Sequence, residues 1–287
     1  MPDVATIPTP RAIARYNRGL LLSRVTRFAL LTAVVCGTLL QMLGRPDAGA
    51  LLVIAAVMIW TMLTVRTAKV QQDLAGVRVL LDAGRAAEAE HAIDALLERF
   101  CLQSRPRVMA LHLLATLRFT QGRFRESAQM LARLLERARG DASTLRAMRL
   151  MLTEAALEYG DVQTAYAALT QAMAGELGVR ERLKVMELQV EYCTRIAAWP
   201  QVVDGLATKI ELAELLPAEP AARVQALMAL ALSKLDRHDW TDWLLARVRL
   251  LIDVQPLIER RPVLRELLAD APPGAVAFSG PSPTGGG

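Results

Sequence analysis

Two apolar runs free of charge stand near the start of the chain, at residues 28–43 and 50–65, each 16 residues long. The segment between them, Gly44-Arg45-Pro46-Asp47-Ala48-Gly49, has turn chemistry. From Arg66 to about Asp270 apolar positions recur with the helical period almost without a strand-like alternation. Breaks rich in Gly, Pro and Ser fall at 103–106, 140–143, 175–178 and 217–220. The pattern predicts helix pairs separated by these breaks.

Within the pairs a phrase returns at a fixed interval. Gly84-Arg85-Ala86, Gly122-Arg123-Phe124 and Gly160-Asp161-Val162 are two steps of 38 residues apart. In each copy an apolar residue follows two places after the glycine, and a small one (Ala89, Ser127, Ala165) three places later. Gly closes the first helix because a positive φ costs it nothing. The small residue lets the second helix pack closely. A period of this size marks a stacked-repeat architecture. Fourth and fifth hinges are expected at Ala197–Pro200 and His238–Trp240, with drifting spacing. Pro256 to Asp270 is expected to form one more short helix that caps the stack.

The charge is uneven. Residues 1–27 hold five arginines against Asp3, so this stretch carries +4 of the formal net charge of +5. The repeat region has no basic excess of the kind a nucleic-acid binder presents. Basic residues beside an apolar segment suit anionic lipid headgroups instead. Residues 1–27 are therefore expected to be a basic arm next to the membrane, disordered over 1–10. A helical stretch from Arg11 would place Ile13, Asn17, Leu21 and Val25 on one side. Cys36, Cys101 and Cys193 have neither metal nor redox spacing and are expected to act as small buried hydrophobes.

The two apolar runs predict a transmembrane hairpin over 28–65, although each is shorter than the roughly 20 residues that cross a bilayer. Arg and Lys flank both outer ends, and the turn holds only Arg45. The positive-inside rule then places both termini and the helical domain in the cytoplasm. The expected organisation is an arm (1–27), a hairpin (28–65), a helical repeat domain (66–270) able to fold by itself, and a flexible tail (271–287).

The helix-pair grammar resembles the tetratricopeptide repeat family. In the second copy Leu111, Leu114 and Ala115 on the first helix, Gly122 and Phe124 at the hinge, and Ser127 and Leu131 on the second helix match its large-small pattern. Gly84, Ala89 and Ile93, and Leu152, Gly160, Ala165 and Leu169, match in part. The resemblance implies an all-α chain: an N-terminal hairpin, then a solenoid of about five helix pairs. It also implies a concave groove, lined by the first helices, that takes a protein or peptide. Matched positions nominate Arg78, Asp82, His112, Thr116, Phe119, Thr120, Glu154, Glu158, Lys184, Glu187, Glu191 and Arg195. The family's clamp for a C-terminal carboxylate is basic. Here four glutamates make the wall acidic, which points to a basic or mixed partner.

No residues form a catalytic or cofactor-binding constellation in the sequence. His91, His112 and His238 are isolated, and no glycine-rich loop follows a strand. The reading is a membrane-anchored interaction scaffold with no enzymatic activity and no cofactor, touching lipid through residues 11–65. A peptide or small-molecule sensor and a structural subunit of a membrane complex are the alternatives.

Overall fold

The computed structural model describes residues 7–137 and 141–269. The expected disorder of residues 1–6 and the expected tail at 271–287 lie outside them. The described residues are all-helical, with no strand. They divide into two compact units, 1–141 and 142–287. That boundary falls inside the expected 66–270 domain, not at its start.

The first unit begins with two long helices, α1 (Thr9–Met42) and α2 (Pro46–Asp82), packed on each other. At 1.5 Å per residue they are about 51 and 56 Å long. α3 (Ala86–Glu98), α4 (Arg105–Thr120) and α5 (Phe124–Arg137) complete the unit. The disorder expected over 1–10 is overturned at residues 7–10, the helix expected from Arg11 is present, and its packing makes it part of a core and not a free arm. Ala12, Tyr16, Leu20 and Ser23 form a buried stripe at helical spacing, and this half of α1 packs on α3, α4 and α5. Arg15 pairs with Asp94 and Glu98. Arg27 gives both Nε and Nη2 to the Leu102 carbonyl, at 2.9 and 2.6 Å. Arg15 and Arg27 of the expected basic arm are therefore structural. A fragment 66–270 lacks this part of the core, so it is not expected to fold by itself.

The other halves of α1 and α2 are inverted relative to a water-soluble core. Phe28, Leu31, Val35, Leu39, Met42, Leu51, Ile54, Met58 and Met62 are exposed. Apart from Leu30, the buried positions over these runs are small: Gly37, Gly49 and Ala56. A Cβ on Gly49 would lie 2.5 Å from the Gly37 carbonyl oxygen, so the two backbones touch there. Small residues inside and large apolar ones outside is the packing of helices in lipid. Both helices are long and apolar enough to cross a membrane, and only 22% and 11% of their most apolar windows are buried. A core helix of a soluble protein would be mostly buried. The charge-free run of α1 from Phe28 to Leu43 spans about 24 Å, against about 30 Å of hydrocarbon, and Arg27 at its edge is turned to the Leu102 carbonyl. Cys36 is exposed on this hairpin, contrary to the expectation of burial, while Cys101 and Cys193 are buried and free.

The second unit contains α6 (Ala142–Tyr159), α7 (Val162–Ala172), α8 (Val179–Arg195), α9 (Trp199–Val203), α10 (Leu206–Glu214), α11 (Ala218–Lys234) and α12 (His238–Leu251). Then come α13 (Gln255–Arg260), a 3-10 turn (Pro262–Leu264) and α14 (Arg265–Ala269). The single helix expected at 256–270 is broken because Pro262 disfavours the helical conformation at Arg261, which adopts φ −134°, ψ 77°. Leu257, Ile258, Leu264 and Leu268 still enter the core formed by α8, α11 and α12.

One backbone device closes six helices. Gly44, Gly84, Gly122 and Gly160 have φ between 72° and 89°, and Ala197 and Asp236 have 54° and 55°. At each, the next residue's N–H bonds five residues back, as in Arg123 N–H to Arg118 O at 2.8 Å and Arg237 N–H to Leu232 O at 3.0 Å. This is a Schellman closure. Its spacing stays within 37–40 residues, so the later copies do not drift. The fifth hinge sits at Asp236, two residues before its expected place. The residue five places on is buried every time: Gly49, Ala89, Ser127, Ala165, Val202 and Thr241. The turn of the apolar hairpin therefore follows the same rule as the repeats.

At Gly122 a Cβ would meet nothing within 4 Å, so only backbone strain opposes a side chain. Gly122→Val is expected to destabilise by about 1–3 kcal/mol, and Gly122→Ala by less. Arg123→Ala removes an exposed-edge pair with Glu126 and should cost under about 1 kcal/mol. Thermal melts of the full chain in detergent check this ranking. Equal melting of Gly122→Val and Arg123→Ala would refute the role of residue 122.

Candidate functional site

The nominated residues fall in both units, and each group is described within its own. In the first unit Arg78 and Asp82 are exposed on α2, while His112 and Thr116 are half-buried on α4. Burial, reinforced by the nearby Arg78 charge, holds the His112 pKa below the usual imidazole value. His112 is therefore predominantly neutral at pH 7. Phe119 packs edge-on against Phe124 with ring centroids 5.2 Å apart, so its ring belongs to the hinge and not to a groove. The Thr116 and Thr120 hydroxyls donate to the carbonyls of His112 and Leu117 on their own helix.

A denser polar centre in this unit escaped the sequence reading. Arg118 and Glu90 are both buried and face each other across α4 and α3. Arg118 Nη1 donates to Glu90 Oε2 at 3.0 Å and to Gln121 Oε1 at 2.8 Å. Its Nη2 donates to the Ile7 carbonyl at 3.1 Å, while the Ile7 N–H donates to Glu90 Oε1 at 2.6 Å. One ion pair thus reads both backbone groups of a single residue, and the Ile7 side chain is buried beside it. Burial alone would raise the Glu90 pKa, but Arg118 and the Ile7 N–H outweigh it and hold it below the ordinary carboxylate value.

In the second unit the structure gathers the nominated charges on α6 and α8. Lys184 Nζ lies 2.9 Å from Glu154 and 3.3 Å from Glu187, and Arg195 Nε lies 3.0 Å from Glu191. Two further arginines complete the cluster. Arg223 of α11 pairs with Glu187. Arg261, at the break after α13, embraces Glu158 with both terminal nitrogens and places Nε 3.2 Å from Glu191. Only a residual cavity of about 10 Å³ remains between Glu154, Glu158, Glu187, Glu191, Arg223 and Arg261, room for one water at most. Burial pushes the Glu158 carboxyl up, but its bond to Arg261 dominates and keeps it below the ordinary range. Four glutamates are matched by three arginines and one lysine. The acidic wall is neutralised from within, and the charge argument for a basic partner loses its force.

Arg223 was within reach of the sequence. It lies 13 residues before the closure at Asp236, as Lys184 lies 13 before Ala197. Setting the fifth hinge two residues late hid the match. Arg261 belongs to no repeat and had no such signal. Among the described residues no group of three or more His, Cys, Asp or Glu is placed to hold a metal ion.

Compared with family models, curated proteins and solved structures, the chain matches none.

Proposed function

We propose that this chain is a membrane-anchored helical-repeat scaffold, tetratricopeptide-like in its hinges, that holds a protein partner close to the bilayer. The observation that carries the reading is the inverted packing of the α1–α2 hairpin, joined without a break to a folded unit. Large apolar side chains face outward over 28–65, where water would penalise them and lipid would not. The halves of α1 and α2 beyond the apolar runs are integral to the first unit's core, so the anchor and the unit form one body. The repeated closures supply a series of helix pairs, an architecture suited to presenting a surface. Arg and Lys flanking both outer ends of the hairpin support a cytoplasmic side for both termini and the helical units. The exposed partner residues under this reading are Arg78, Asp82 and the outer edge at Arg195, since the glutamates of α6 and α8 are already paired.

The test is topology. The full chain should resist extraction by alkaline carbonate. Reporters at the N-terminus and after residue 287 should both read cytoplasm, and one inserted in 44–49 should read the opposite side. A chain released by carbonate, or a C-terminal reporter on the far side, would overturn the proposal.

A further inference from the structure

A cleft between α1 and α5 is lined by Asn17, Leu20, Leu21, Arg24, Glu136 and Arg137 and encloses about 380 Å³. That volume lies in the range of small-ligand pockets, about 300–1,000 Å³. Its apolar lining comes from Leu20, which is buried, and Leu21, which is 67% exposed. Its rim is cationic. Arg24 has neither a hydrogen bond nor an ion pair among the described residues. Among the described residues Arg137 donates to Asn17 Oδ1, at 2.7 Å. The one acidic group, Glu136, is engaged by Arg133 at 3.0 and 3.2 Å. Both arginine charges act on the nearby Tyr16: burial raises its pKa, and Arg137 and Arg24 both pull against that. With Glu136 held by Arg133, Arg24 and Arg137 leave the cleft with a positive excess that an anion would offset.

The height of the cleft selects the anion. The charge-free stretch of α1 begins at Phe28, and Arg24 lies one turn, about 6 Å, before it. The headgroup layer is about 5–8 Å deep on each side of the hydrocarbon. Under the membrane reading, on which this inference rests, the cleft opens at the level of lipid phosphates. We propose that the α1–α5 cleft binds the phosphate of an anionic phospholipid between Arg24 and Arg137.

The test uses the full chain purified in neutral detergent, with phosphatidylglycerol and phosphatidylcholine supplied together and retained lipid counted by native mass spectrometry. The wild type should retain phosphatidylglycerol preferentially. Arg24→Gln removes a side chain without a partner, so the fold is unaffected. It should weaken retention about five-fold, the factor that about 1 kcal/mol per arginine at a membrane surface represents. Arg24→Gln with Arg137→Gln should weaken it about 25-fold, by the same constants. Arg125→Gln, an exposed α5 arginine outside the cleft, should change nothing. Equal losses from Arg125→Gln and Arg24→Gln would overturn the site, as would undiminished retention by the double variant. Glycerol phosphate in millimolar excess separates the two sources of the chemistry. If it displaces the lipid completely, the cleft is a soluble-phosphate site and the lipid assignment falls. Carbonate extraction is scored separately: a chain that extracts yet binds glycerol phosphate through Arg24 defeats the membrane reading and leaves the phosphate site standing.

Discussion

Arg118→Ala is expected to loosen the first unit by about 3–5 kcal/mol, the usual cost of leaving one partner of a buried ion pair behind. Glu90 would keep only the Ile7 N–H, in a place almost without solvent. Ile7 would lose its carbonyl donor, so the start of α1 should open first. Hydrogen exchange on the full chain in detergent reads this directly. Amides of α3 and α4 should exchange about 10²- to 4 × 10³-fold faster, since 1.4 kcal/mol is a factor of ten. The dependence on pH supplies a second signature. In the wild type the Glu90 pKa is depressed, so its contribution is present above the unfolded value of about 4.3 and is lost as pH falls through the folded value. Without Arg118, desolvation is left to dominate and the folded pKa rises above the unfolded one. The variant should then gain protection as pH falls from 7 toward 4, opposite to the wild type. Adding Glu90→Gln removes the stranded charge and should restore a large part of the loss. Unchanged exchange in Arg118→Ala would show that the pair holds nothing together.

Arg261→Ala is the second large effect, expected at roughly 2–4 kcal/mol in the second unit. It is smaller than the first because Glu191 keeps Arg195 and Glu158 is 19% exposed. The depressed Glu158 pKa means that the wild-type contribution exists above about 4.3 and fades as pH drops through the folded value. In Arg261→Ala that pH dependence should flatten or invert. The break at Pro262 and the buried Leu257, Ile258, Leu264 and Leu268 should still seat the segment. The variant would then leave a vacancy shaped for a guanidinium. Methylguanidinium at low millimolar concentration should recover exchange protection on α8 and α11 of Arg261→Ala and leave the wild type unaffected. Arg261→Lys should rescue little, because one ammonium cannot span Glu158 and Glu191 as the planar fork does. Full protection in Arg261→Ala without the additive would sink this account.

The sequence disclosed the hinges where glycine marks them, at 84, 122 and 160, because a left-handed closure favours glycine. Ala197 and Asp236 take the same conformation with side chains that announce nothing, so the last register slipped by two residues and Arg223 was missed with it. The arm at 11–27 was read by its arginines, although Ala12, Tyr16 and Ser23 already spaced a buried stripe. Arg118 stands seven residues after Leu111, and Glu90 three before Ile93, each in phase with its helix's apolar face. A charge in that phase was the available sign of a buried pair. What no local pattern held was which charge meets which. Glu90 and Arg118 are 28 residues apart, and Arg261 and Glu158 are 103. Only the packed fold sets those meetings. The groove nominated from matched positions was legible as a cluster in the second unit, but its closure by Arg261 was not.

The uninterrupted α1 also sets an order of assembly. Its first half is synthesised before everything it packs on, and α5 is finished only at Arg137. If the hairpin enters the bilayer as proposed, it does so with a buried-type stripe of Ala12, Tyr16 and Leu20 still uncovered on the cytoplasmic side. At about 5–20 residues per second, the 72 residues from Val65 to Arg137 take about 4–14 s to appear. For that interval the newborn chain is anchored and unfinished, its first helix open to whatever chaperone or neighbouring nascent chain reaches it.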